Sequence, residues 1–287
     1  MNTLNLPRSL SQPSAASHLR ALGVIALKDW RHFVRYPLEV VTSILQPLIW
    51  LTPVYFMGRV FSVGGQAQGL AAYSGTGDYM AFILIGQALI NFINAVFWGM
   101  GYALKNDMDT GVLEANWLLP MPRVLLLAGR TLASLMITTL TTAAIFVLAA
   151  LLFGFKPSGN AVAAVLTTLP MLLGLYGFGL AFAALVMLMK EANTLVDVSS
   201  FLVQLLSGSN FPVQALPRWL LPVALALPLT YGLDAVRYWL LATRPLLPVA
   251  VELGLLLVFM VGMLAGGYAA FKGLERRVRR RGGLQAH

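Results

Sequence analysis

The sequence contains no cysteine. That excludes disulfides, thiolate metal sites and cysteine nucleophiles. Charge is scarce as well. Only 11% of the 287 residues are charged, against about 25% in an ordinary soluble domain. Histidine is limited to His18, His32 and His287. These are too scattered for a metal site and too peripheral for a Ser-His-Asp arrangement. No stretch matches G-x-x-x-x-G-K-[ST], so a phosphate-cradling loop of that type is missing. No strong internal repeat is visible, and the two halves differ in loop pattern. An inverted-repeat secondary transporter therefore gains no support.

What the sequence does have is apolar bulk. Hydrophobic residues make up 58% of it, and the mean hydropathy is +0.76. A soluble fold of this length has no interior large enough to hide that surface, so the bilayer is its natural solvent. The net charge is +9. The basic residues lie between apolar runs, which points to membrane orientation rather than to nucleic acid.

Residues 1–17 are polar, with Pro7, Pro13 and several serines, and read as a disordered cytoplasmic tail rather than a signal peptide. In 18–36, Leu19, Leu22, Ala26, Trp30 and Phe33 recur at helical spacing among Arg20, Lys28, Arg31 and Arg35. This pattern predicts an amphipathic helix in the headgroup plane, or one packed on a partner. Apolar runs of spanning length follow at 38–58, 79–104, 124–153 and 161–189. A run at 194–211 is barely long enough, and a last one covers 246–271. The segment 59–77 is rich in Gly, Ser and Gln and reads as a loop. The 17 residues 216–232 are apolar but short, and Pro222 and Pro228 interrupt them.

Charge decides what 216–232 does. With six crossings and both termini cytoplasmic, fifteen of the 20 Lys and Arg residues fall inside, and Arg59, Lys156, Arg218, Arg237 and Arg244 fall outside. This fits the positive-inside rule. A seventh crossing would put the basic tail outside. The expectation is therefore an all-α membrane protein with six transmembrane helices, an N-terminal interfacial helix and a re-entrant hairpin before the last span. Residues 18–271 form one transmembrane domain and 272–287 a basic cytoplasmic tail. The hairpin would keep Arg218 and Arg237 near external water, with Asp234 paired to Arg237 three residues on. The tail arginines would hold anionic headgroups.

Polar residues inside spans are costly in lipid and should face protein or a cavity. Gln46, Asn91, Asn94 and Gln204 are candidate pathway residues, with helix-to-helix hydrogen bonding the competing reading. Glu252 lies nearer the external end, where water reaches it. Between the second and third spans stands Asp109-Thr110-Gly111-Val112-Leu113-Glu114, then Trp117 and the turn Pro120-Met121-Pro122-Arg123. A short helix there presents Leu113 and Trp117 together with an acidic rim, which suits docking into another protein or rest on the lipid surface.

Two stretches resemble the permease subunits of type-2 ABC exporters, a family that includes drug, nodulation-factor and polysaccharide export permeases. The family has Glu-x-Gly-Thr-Leu-Glu before a Pro-containing turn. Here Asp109 stands for the first Glu, Val112 for Thr, and Gly111, Leu113 and Glu114 match. The second stretch holds Phe211-Pro212, Pro217 and then Pro228-Leu-Thr-Tyr231-Gly-Leu-Asp234-Ala-Val-Arg237. The resemblance implies a chain without its own ATPase site, in the bacterial inner membrane. An ABC nucleotide-binding subunit would carry ATP and Mg, and a second permease, identical or related, would complete the unit. Asp109, Gly111, Leu113, Glu114, Trp117, Pro120 and Arg123 would couple to the ATPase. Phe211, Pro212, Pro217, Pro228, Tyr231, Asp234 and Arg237 would form a gate. The cargo would be amphipathic, lipid-like, drug-like or glycan-type. A secondary transporter or channel without an ATPase is the alternative.

Overall fold

The computed structural model describes residues 15–62, 64, 66–102, 111, 122–155, 159–186 and 192–280. Among these, every regular element is helical. The amphipathic α1 (Ala15–Arg35) ends at Tyr36, and Pro37 opens α2 (Pro37–Val60), where its missing N–H costs nothing. The segment read as loop contains a short helix, α3 (Gln68–Ser74), closed by Gly75 in the left-handed conformation. Asp78 caps α4 (Tyr79–Phe97) by accepting from the Ala81 N–H at 2.9 Å. The helix then widens into a π turn at Trp98–Tyr102.

Next come α5 (Arg123–Phe153), α6 (Ala161–Val186) and α7 (Ala192–Leu206). A 3-10 turn (Val213–Ala215), α8 (Leu221–Leu225) and α9 (Pro228–Leu241) follow. The long α10 (Val249–Arg280) closes the described chain. Among the described residues, five helices are long and apolar enough to cross a membrane, namely α2, α4 with its π turn, α5, α6 and α10. The expected fifth span is helical only to Leu206. Its 15 residues reach about 22 Å, short of a hydrocarbon core of about 30 Å.

The centre of the bundle is α4, whose Ile83, Leu84, Ile85, Ile93, Val96 and Phe97 are all at most 2% exposed. Phe97 meets Phe178 and Phe182 edge-on at 5.5 and 4.9 Å between ring centres. Packing between α6 and α10 uses small residues. Gly267 sits directly against the Gly177 carbonyl, and Gly174 lies on the Met260 backbone. Helices that gain nothing from hydrophobic burial in lipid associate by this kind of close backbone contact. The outward faces of α2, α5 and α10 keep Ile49, Trp50, Leu151 and Val258 exposed, as a lipid solvent allows.

Contacts sort the connections into two ends. At one, Arg244 N–H donates to the Ser74 carbonyl at 2.7 Å, and Asn160 N–H donates to the Trp239 carbonyl at 2.7 Å. We call it the loop end. At the other, Ile25 of α1 lies on Gly129, and Arg123 pairs with Glu275 at 2.8 Å. This is the tail end.

Candidate functional site

The most elaborate polar junction lies near the loop end, where α4, α9 and the end of α7 meet. Gly208 adopts a positive φ of 78° and stops α7. The freed Gln204 carbonyl accepts from the Ser209 hydroxyl at 2.8 Å. The carbonyls of Gly208 and Ser209 then point inward, where no water reaches them. Arg237 of α9 supplies the donors. Its Nη1 donates to Gly208 O at 2.7 Å and its Nη2 to Ser209 O at 2.6 Å. Nε and Nη2 also donate to Phe82 O of α4 at 3.2 and 3.1 Å. The guanidinium lies 3.5 Å from the centre of the Phe82 ring, within cation–π range. Gly86, one turn along, makes this approach fit. A Cβ there would run into the Ser209 carbonyl and the Arg237 guanidinium.

This corrects the expectation for Arg237. It is 3% exposed and holds backbone together, rather than facing external water. Arg218 is exposed. Asp234 does not pair with Arg237 either. Its Oδ2 accepts from the Leu246 N–H at 2.6 Å, tying α9 to the connection into α10. Beside it, Glu252 accepts from the Leu247 N–H at 3.1 Å. Glu252 is 0% exposed, which corrects the reading that water reaches it.

The other expected gate residues are structural in geometry. Pro212 precedes the 3-10 turn, and the exposed Pro217 accepts from Leu220 N–H at 2.9 Å. Pro228 opens α9, and the buried Tyr231 donates its hydroxyl proton to Leu225 O at 2.8 Å. Phe211 is half-buried.

The candidate pathway residues separate. Asn91 lines a narrow crevice between α2, α4 and α5 with Gln87 and Thr142. Asn94 and Gln204 are half-buried elsewhere, and Gln46 is exposed on the outer face of α2. Gln87 escaped the sequence reading. Its Nε2 donates to Asn210 Oδ1 at 2.6 Å, a second tie between α4 and the segment after α7. The signal was present, because Gln87 is polar in an apolar span and lies one helical turn before Asn91.

At the tail end, Asp109, Leu113, Glu114, Trp117 and Pro120 lie outside the described residues. Gly111 is exposed with φ 69°, a conformation glycine adopts without strain. Arg123 begins α5 and meets Glu275 on α10, while Tyr176 of α6 donates to the Val124 carbonyl at 3.1 Å. The chain therefore leaves the 109–122 segment into a point tied to two other helices.

No curated protein matches this chain. The family model described as ABC-2 type transporter matches residues 20–241, from α1 through the last residue of α9. That span takes in the whole helical arrangement up to the last connection, and the chain belongs to the ABC-2 type transporter family as a membrane-spanning ABC transporter permease.

Proposed function

We propose that this permease is the membrane half of an ATP-driven exporter, working as a pair with a second permease. A separate ATPase subunit carries ATP and Mg and grips the 109–123 segment. Amphipathic cargo, such as a lipid-like, drug-like or glycan-type molecule, leaves between the permeases toward the loop end. The chain sits in the inner membrane with both termini in the cytoplasm. The family match over residues 20–241 carries the reading, because the family works with an ATPase partner.

Three observations support the finer parts. Arg123 links the outlet of the 109–122 segment to α10, so force applied there moves more than one helix. Gln46 stands exposed in the single chain beside Ile49 and Trp50. An amide facing lipid is costly, and a second permease would cover it. We read α7 as a short fifth crossing and 212–241 as a hairpin entering from the loop end. In support, Pro212 and Gln214 share a crevice with Ser74 and Arg244. Gly232 meets Met171, about three turns into α6, and Trp239 is back at Asn160.

Single-cysteine labelling tests the topology without interference, since no native cysteine competes. Ala215→Cys and Leu247→Cys, both exposed, are expected to react from outside the cell. Gly283→Cys is expected to react only after the membrane is permeabilised. Opposite sidedness of 215 and 247 would remove the hairpin. Coupling is tested by Glu114→Arg and Gly111→Trp. Glu114→Arg is expected to abolish ATP-dependent transport while insertion and folding stay normal, since a reversed charge spoils a docked surface. Gly111→Trp adds bulk together with local backbone strain at a positive φ and is expected to abolish transport as well. Full transport by both variants would place the ATPase contact elsewhere.

A further inference from the structure

Arg237 is spent on three backbone carbonyls, and that leaves two carboxyl groups beside it with too few donors. Asp234 receives the Leu246 N–H and Glu252 the Leu247 N–H, both from the connection between α9 and α10. Consecutive amides thus hold the two carboxyls, which brings them side by side. Glu252 is fully buried, and its second oxygen has no partner. A carboxylate can only accept, so two ionised groups in this position would meet lone pair to lone pair. One proton between them turns that repulsion into a hydrogen bond.

One hydroxyl is at hand: Thr243 Oγ1, buried without a partner, lines the same crevice as Asp234, and it can donate only once. The titratable groups acting on the pair from α9 are Tyr231 and Arg237. The Tyr231 hydroxyl donates its hydrogen bond to Leu225 O instead. The charge of Arg237 acts on Asp234, but its guanidinium hydrogen bonds to the described residues go to carbonyls. The described part of α6 contains no charged side chain, and its one tyrosine, Tyr176, is bound to Val124 at the tail end. The described part of α4 is likewise uncharged, and its one tyrosine, Tyr79, lies against Gly58 of α2. Asp234 also lines a crevice with Thr230, Thr243 and Arg244, which gives a proton a route in from the loop end.

We propose that Asp234 and Glu252 form a proton-binding pair that latches α9 to the head of α10. The step is a reversible protonation. Binding one proton takes the pair from two negative charges to one and forms the carboxyl-to-carboxylate hydrogen bond. Losing that proton leaves like charges adjacent in a water-poor site, which parts the two carboxyls and loosens the 242–248 connection. The latch makes the loop end of the permease sensitive to pH on that side of the membrane. It depends on neither the ATPase partner nor the cargo.

The test is infrared spectroscopy of the purified full-length chain in lipid nanodiscs at neutral pH. Wild type is expected to show a protonated-carboxyl C=O band that shifts in D2O and disappears as the pH is raised. In Glu252→Gln and in Asp234→Asn an amide donor replaces the shared proton, so each variant is expected to lose the band while keeping its helical amide signal. Two separate variants guard against one failing to fold. No such band in wild type, or a band that survives in either folded variant, overturns the shared proton.

Discussion

Arg237→Ala is expected to lower the unfolding free energy by about 4 kcal/mol, since each buried carbonyl left without a donor costs about 1–3 kcal/mol. The carbonyls orphaned are those of Gly208 and Ser209. Phe82 O loses a second donor but remains inside α4. The cost is high because the three acceptors come from two elements that only the guanidinium bridges in this way. Arg237→Lys keeps the charge and is expected to recover less than half of the loss. An ammonium cannot span three carbonyls as a planar fork does. Gln87→Leu removes one neutral bond at the same junction and is expected to cost only about 1 kcal/mol. Unfolding midpoints in mild detergent give the order. Equal stability of Arg237→Ala and wild type would mean that the fork does not fix the end of α7.

The second large effect belongs to neighbouring glycines on α10. Gly267→Ala puts a methyl into the Gly177 carbonyl, where the obstacle is backbone and cannot rotate away. Gly266→Ala, one residue earlier, meets nothing within 4 Å. The first substitution is expected to cost about 3 kcal/mol, at the upper end for overpacking. The second is expected to be neutral or to stabilise by up to about 1 kcal/mol through better helix propensity. The pair is informative because the chemical change is identical. If both behave alike, α6 and α10 do not touch at Gly177.

Hydropathy alone located α2, α5 and α6 within a few residues, because a bilayer demands a continuous apolar run of set length. It found the start of α10 but ended it at 271, whereas the helix runs on through the basic stretch to Arg280. It overran the end of α7. Ser207-Gly208-Ser209-Asn210 is a turn signal, but an apolar flank on each side absorbed it into a span. It also missed α3, a short helix that leans on Arg244 from the far end of the chain. The burial of Arg237 was not legible. A basic residue near a helix end reads as water-facing, and its acceptors lie 155 and 29 residues away in sequence. Glu252 misled for the same reason. Position along a helix gives depth in the membrane, but not which neighbour covers the side chain.

We propose that this permease is driven by a separate ATPase subunit. The direct measurement is purification of the full-length chain from its native membranes in mild detergent, followed by ATP hydrolysis by the isolated complex. The account predicts an equimolar subunit carrying a G-x-x-x-x-G-K-[ST] loop, with Mg-dependent hydrolysis that copurifies. Glu114→Arg is predicted to lose both the subunit and the hydrolysis while the permease itself remains in the membrane. A chain that purifies intact without any such subunit, yet still moves cargo when reconstituted without ATP, would contradict it.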